Sequence, residues 1–180
     1  MPTLETQSSH QSKASKSGRK FEDEIYQLLI DQITNPEVSI LRPRTHVYKP
    51  NIKKSRRRYA CLTLHTSIGS IIGDTDIVIF NKKKKEPLVI ISCKTSLHGR
   101  ITESLYYARF YREKYPQLPQ FFVTSDNHGE FGSEEKPRKS RVLATYENIF
   151  VYSWNPKTIL GGCIKSKDSF IDDIKRVIDE

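Results

Sequence analysis

Gly73-Asp74-Thr75-Asp76-Ile77-Val78-Ile79-Phe80, followed by Leu88-Val89-Ile90-Ile91-Ser92-Cys93-Lys94, is the stretch on which the fold turns. The first run is rich in β-branched residues, and the second is an unbroken apolar strand of the kind that sits inside a sheet covered on both faces. Only Asn81 to Glu86 joins them. That is too short for a crossover helix, so the two strands form an antiparallel hairpin. With the turn centred near Lys84, Asp76 falls roughly opposite Ser92. Side chains two apart share a face, so Asp74 pairs with Asp76 and Ser92 with Lys94. Lys94 then lies one step diagonal to Asp76 and close to Asp74.

The flanking sequence extends this hairpin into a domain. Downstream, Arg100 to Tyr115 reads as a helix, with Ile101, Leu105, Ala108 and Arg112 along one face and Pro116 as its stop. Gln120 to Thr124 is a second buried strand, 126–140 a long polar loop, and Ile149 to Trp154 a further strand. Ser166 or Asp168 caps a last helix whose apolar face is Phe170, Ile174, Val177 and Ile178. Upstream, Tyr59 to Ser67 alternates loosely as a strand. Residues 37–58 hold only two short apolar pieces, Val38 to Leu41 and Val47-Tyr48. Phe21, Ile25, Leu28, Leu29 and Ile33 mark a first helix that Asn35-Pro36 ends. Met1 to Ser17 is polar and aperiodic and reads as an unstructured basic tail. The expectation is one α/β domain over residues 18–180: a central mixed β-sheet flanked by helices.

Composition narrows the function. The chain has 180 residues, with 30 Lys+Arg against 21 Asp+Glu and a net charge of +9. That length supports one core, and the charge favours a polyanionic partner. No apolar run is long enough to span a membrane, and the N-terminus has no secretory h-region. The 3 cysteines are scattered, without C-x-x-C, which points to a reducing cytoplasm and against a zinc ribbon. The 5 histidines show no ligand spacing. No phosphate-binding G-x-x-x-x-G-K-[ST] occurs, so no nucleotide cofactor is expected.

A carboxylate and a lysine meeting at the end of two apolar strands suit metal-assisted phosphodiester hydrolysis. A hard cation such as Mg²⁺ takes carboxylate oxygens, water and phosphate, and an ammonium offsets the charge that develops on phosphorus. A D-x-D at a strand start also occurs as turn chemistry, and a lysine after a strand as a solvated end. What favours the functional alternative is the presence of both features on adjacent strands in facing positions.

These residues resemble the PD-(D/E)xK nuclease superfamily. Gly73 to Ile79 followed by Ile90 to Leu97 looks like its core, and Ser92-Cys93-Lys94-Thr95-Ser96-Leu97, with Arg100 and a helix beyond, is similar to type II restriction endonucleases. The resemblance implies a restriction-endonuclease-like core, with Asp76 as a metal-binding acid and Lys94 as the catalytic lysine. The second acid of the family pattern is here Ser92. Members with serine at that place take a carboxylate from the following helix, which makes Glu103 the candidate. G-x-x-F-E at the first helix resembles the family's leading helix, so Glu22 is a further metal candidate, and Asp74 a possible helper. Residues after the lysine strand read bases in some relatives. Here they are Ser96, His98 and Arg100, and Arg100 has the bidentate fork that guanine accepts. Lys53, Lys54, Arg56, Arg57 and Arg58 form a basic run suited to phosphates, whereas Lys82 to Lys85 is a turn tip that lies away from the cleft.

The expected activity is that of a Mg²⁺-dependent type II restriction endonuclease. It would cut double-stranded DNA to 5′-phosphate and 3′-hydroxyl ends and act as a homodimer, because two strands of a palindrome need two sites. The alternatives are a structure-specific nuclease on the same core, such as a junction resolvase or repair enzyme, or a DNA-binding module with a decayed site.

Overall fold

The hairpin stands at the centre of the sheet. In the computed structural model, which describes residues 4–43, 62–66, 69–73, 75–95, 101–127, 129, 131 and 149–180, its strands are β4 (Ile77–Asn81) and β5 (Glu86–Lys94). For residues 4–15, 64–66, 69–72 and 101–105 only the backbone is described. Ile77 faces Ile91 and Asn81 faces Glu86. The pairing shifts by one residue between Ile79 and Phe80, and this bulge reconciles a four-residue turn at 82–85 with the expected register at the Asp76 end. The Asn81 side chain holds the turn by accepting the N–H groups of Lys83 and Lys84 at 2.9 and 2.8 Å, while Lys85 turns the chain at φ 57°.

The chain order begins with α1 (Leu4–Gln32), β1 (Val38–Leu41), β2 (Thr63–Thr66) and β3 (Gly69–Ile72), which precede the hairpin. After it come α2 (Ile101–Lys114), β6 (Gln120–Thr124), β7 (Ile149–Ser153), β8 (Ile164–Ser166), a 3₁₀ turn (Lys167–Ser169) and α3 (Phe170–Asp179). Six strands form one mixed sheet in the order β1-β4-β5-β6-β7-β8. The first pairings are antiparallel, and those from β5 to β8 are parallel.

Alternation assigns the two faces. Ile77 and Ile79, Val89, Ile91 and Cys93, Phe121 and Val123, and Tyr152 form one buried layer with Phe21, Ile25 and Leu29 of α1 and Phe170 and Ile174 of α3. On the opposite face, α2 packs Ala108 near Phe122 and Val151, and Tyr111 near Val78 and Ile90. The fold is therefore α/β, a mixed sheet between helical layers, as expected. Asp76, Ser92 and Lys94 have the parity of Val78 and Ile90, so they belong to the α2 side.

The structure departs from expectation at the margins. Val38–Leu41 is a true edge strand, pairing Leu41 with Val78. The expected strand at Tyr59 to Ser67 is reduced, among described residues, to β2. It leaves the central sheet and pairs with β3 in a separate two-stranded sheet. β8 has only three residues, below the length at which periodicity speaks. α1 begins at Leu4, where an unstructured tail over 1–17 is expected. No proline lies between Leu4 and Gly18 to stop helical backbone, and among its described side chains the first buried one is Phe21. Two residues at the start of the expected polar loop are buried, Asp126 at 0% and Phe131 at 4% exposed. Ser166 caps the 3₁₀ turn that leads into α3, accepting the Asp168 N–H at 3.3 Å, whereas the N-cap of α3 itself is Ser169, which makes no side-chain cap hydrogen bond. No helix among the described residues is long and apolar enough to cross a membrane.

Candidate active site

Three chain segments bring side chains to one end of the sheet, where β4 begins and β5 finishes. Asp76 is anchored by its own backbone, whose N–H donates to the Ile91 carbonyl at 3.1 Å. Its Oδ2 accepts the Cys93 N–H at 2.8 Å and lies 3.2 Å from Lys94 Nζ. The hairpin register thus produces the expected meeting of Asp76 with the Ser92–Lys94 segment. Burial decides what kind of meeting it is. Asp76 is 2% and Lys94 5% exposed, whereas a turn aspartate or a solvated strand end would face water. Desolvation costs several kcal/mol per buried ion, so such a pair is weak as a source of stability. Its placement fits a working site better.

α1 and the end of β1 supply the second group of charges. Arg42 follows Leu41 and reaches back to α1, with Nη2 3.2 Å from Glu22 Oε2 and Nη1 hydrogen-bonded to Asp23. Its guanidinium lies over the Tyr26 ring at 5.2 Å. Burial pulls the Arg42 pKa down, but its hydrogen bonds and charge pairing with Asp23 and Glu22 outweigh this and raise it. It stays a cation.

Cys93 reports how close these groups are. Its buried thiol is pushed well up, first by burial and then by the charges of Asp76 and Glu22, against the opposing influence of Lys94 and Arg42. All four ionic groups therefore act on the thiol at the C-terminal end of β5. The same shift keeps the sulfur protonated, which removes Cys93 as a nucleophile.

Glu103 sits in the first turn of α2, on the face of the sheet that Asp76 and Lys94 share, and only its backbone is described. It precedes Tyr107 and Tyr111 by one and two turns on the same helical stripe. Asp74, Ser96, His98, Arg100, Lys53, Lys54, Arg56, Arg57 and Arg58 lie outside the described residues. Lys82 to Lys85 are exposed at the turn, at the end of β5 remote from Lys94.

Among the described residues no three metal-ligating side chains form a ready cluster. The oxygen donors at this end are nonetheless of one kind. The carboxylates of Asp76 and Glu22 and the Ser92 hydroxyl are hard oxygens, the donor type that a cation such as Mg²⁺ takes. Arg42 is the part of this end that sequence reading missed. The available signal was Val38-Ser39-Ile40-Leu41, an alternating edge strand that delivers the next residue to the start of β4.

A family model described as BsaWI restriction endonuclease type 2 matches residues 50–178, more than two thirds of the chain. The matched span includes Asp76, Lys94 and Glu103 and begins after Glu22 and Arg42. No curated protein matches the chain.

Proposed function

The chain belongs to the BsaWI restriction endonuclease type 2 family, and from that premise we propose that it cuts double-stranded DNA at a defined sequence by Mg²⁺-dependent hydrolysis on a PD-(D/E)xK core. The observation that carries this reading is the buried Asp76–Lys94 pair at 3.2 Å, at the end of β5. Asp76, Glu103 and Glu22 would hold the cation, with Asp74 as a possible helper. When bound, the cation lowers the pKa of a coordinated water and stabilises the pentavalent charge on phosphorus.

The chain's own residues supply the rest. Asp76 keeps Lys94 in place. The ammonium has three N–H donors, enough to orient the attacking water while also meeting a non-bridging phosphate oxygen. Water attacks phosphorus in line with the departing O3′, leaving a 5′-phosphate and a 3′-hydroxyl. Lys53, Lys54, Arg56, Arg57 and Arg58 would serve as phosphate contacts, and Ser96, His98 and Arg100 as base readers. The whole activity resides in one domain over residues 18–180. Two copies related by a twofold axis cut the two strands of a palindrome. The free thiols of Cys93 and Cys163 fit a reducing cytoplasm.

Digestion of a defined plasmid with Mg²⁺ tests the reading. Discrete bands with 5′-phosphate ends are expected from the parent protein, and Lys94→Ala should cut about 10²–10⁴-fold more slowly while still binding DNA. Cleavage by Lys94→Ala at the parental rate, or preference of the parent for branched over plain duplex, would overturn it.

A further inference from the structure

Tyr111 lies in α2, 1% exposed, and its hydroxyl is a junction rather than a bystander. The oxygen accepts the Gly73 N–H at 3.1 Å, lies 3.2 Å from Thr75 Oγ1, and donates to the Leu62 carbonyl at 3.3 Å. A phenol has one hydrogen. With that hydrogen on Leu62, the Tyr111 oxygen accepts twice, so Thr75 is the donor in their bond. A role in packing alone would be filled equally well by phenylalanine. Burying a hydroxyl costs free energy unless it is bonded, and this one is bonded to the two residues flanking position 74.

The approach is close as well as polar. A Cβ on Gly73 would come within 2.7 Å of the Tyr107 ring and 3.0 Å of the Tyr111 hydroxyl. Tyr107 and Tyr111 continue the stripe that starts at Glu103. The Thr75 N–H also donates to the Gly73 carbonyl at 2.7 Å, so the segment that Tyr111 holds is itself tightly folded immediately before Asp76. One hydroxyl therefore fastens α2 to the start of β4.

We infer that Tyr111 is a positioning residue for the metal site: its hydroxyl sets the distance between Asp76 on β4 and the first turn of α2, so that acids from two elements meet one cation. This rests on the function proposed above. In this role Tyr111 acts through Thr75 and Gly73. Removal of such a supporting hydrogen bond typically weakens metal binding by 10–100-fold.

The test compares Tyr111→Phe, Thr75→Val and the double variant with the parent protein and Asp76→Asn. Binding of Mn²⁺ is read from loss of the free-ion electron paramagnetic resonance signal, alongside cleavage against Mg²⁺ concentration and the melting temperature. Each single variant should need about tenfold more metal in both metal readouts. The double variant should be no worse than Tyr111→Phe, which already removes the Thr75 bond together with those to Gly73 and Leu62. A lowered melting temperature with unchanged Mn²⁺ affinity would make Tyr111 merely structural and overturn the inference, as would additive losses in the double variant. Should Tyr111→Phe fail to fold, Thr75→Val carries the same comparison without disturbing α2. Asp76→Asn separates the two levels. If it cuts and binds Mn²⁺ like the parent, the proposed site itself is wrong. If it loses both while Tyr111→Phe keeps both, only the positioning role fails.

Discussion

Asp76 and Lys94 are ordinary residue types, and what distinguishes them is where water cannot reach them. The hairpin alone accounts for their proximity, because a two-residue period and a short connector leave one pairing that buries both strands. Gly73 shows the same site from the side of packing. It is buried beneath Tyr107 and Tyr111, and an added methyl would meet ring atoms at 2.7 Å. Gly73→Ala should therefore destabilise the protein by about 1–3 kcal/mol, measured by urea unfolding, and should lower cleavage because Asp76 lies three residues on. Unchanged stability would mean that α2 yields easily at this point. Asp76 and Lys94 were legible in the sequence because hairpin pairing is local. Arg42 and the Tyr111 hydroxyl were not, since the partners of Tyr111 lie 36 to 49 residues away and no periodicity encodes such a distance.

Among the elements, long regular runs announced themselves and short ones did not. β5, β6, β7 and α3 carry enough apolar pattern to be read directly. β1 has four residues and β8 three, and both are defined by the neighbour they pair with. The far edge of the sheet depends on a polar cluster. Asp173 of α3 accepts from Tyr152 of β7 at 2.8 Å and from Lys165 of β8 at 2.7 Å, with Arg176 at 3.0 Å. Burial alone would raise the Asp173 pKa, but the hydrogen bonds of Lys165 and Tyr152 and the charges of Lys165 and Arg176 outweigh it, so the pKa is lowered from 3.8. A carboxyl depressed on folding adds stability above its unfolded pKa, and that stability is lost as pH falls through the folded value. The parent should thus exceed Asp173→Asn in stability by a constant margin from pH 7 to about pH 5. The gap should close in the acid range below about pH 4. A margin that stays flat down to pH 3 would contradict this account. Tyr152, whose hydroxyl is pushed far up by burial and then by Asp173, remains neutral throughout that window.

For the whole molecule, the +9 charge includes two basic runs, one at 53–58 and one at 82–85. The four lysines of the hairpin turn are separated from Lys94 by the length of β5, roughly 25 Å at a strand's rise per residue. The basic run at 53–58 instead precedes the strands that lead into Gly73. DNA affinity, measured by fluorescence anisotropy in a Lys94→Ala background that leaves the DNA intact, should fall steeply with salt. Alanine at Lys53, Lys54, Arg56, Arg57 and Arg58 should flatten the slope of log K against log salt by about 0.9 for each phosphate that these side chains neutralise. Alanine at Lys82 to Lys85 should leave the slope nearly unchanged. An equal effect from both sets would mean that the charge acts as a diffuse field rather than through a docked face.

Local pattern in the sequence was sufficient for the hairpin, its register at Asp76, the helix that follows Lys94 and the helix at the end. Each of these is a matter of period, loop length and turn chemistry between near neighbours. Long-range packing established the rest: that Asp76 and Lys94 are buried, that Arg42 and Glu22 join them from an edge strand and a distant helix, and that one tyrosine hydroxyl fastens α2 to β4. Those outcomes depend on which surfaces exclude water from which others. Burial of that kind exists only once segments far apart in the chain have packed together.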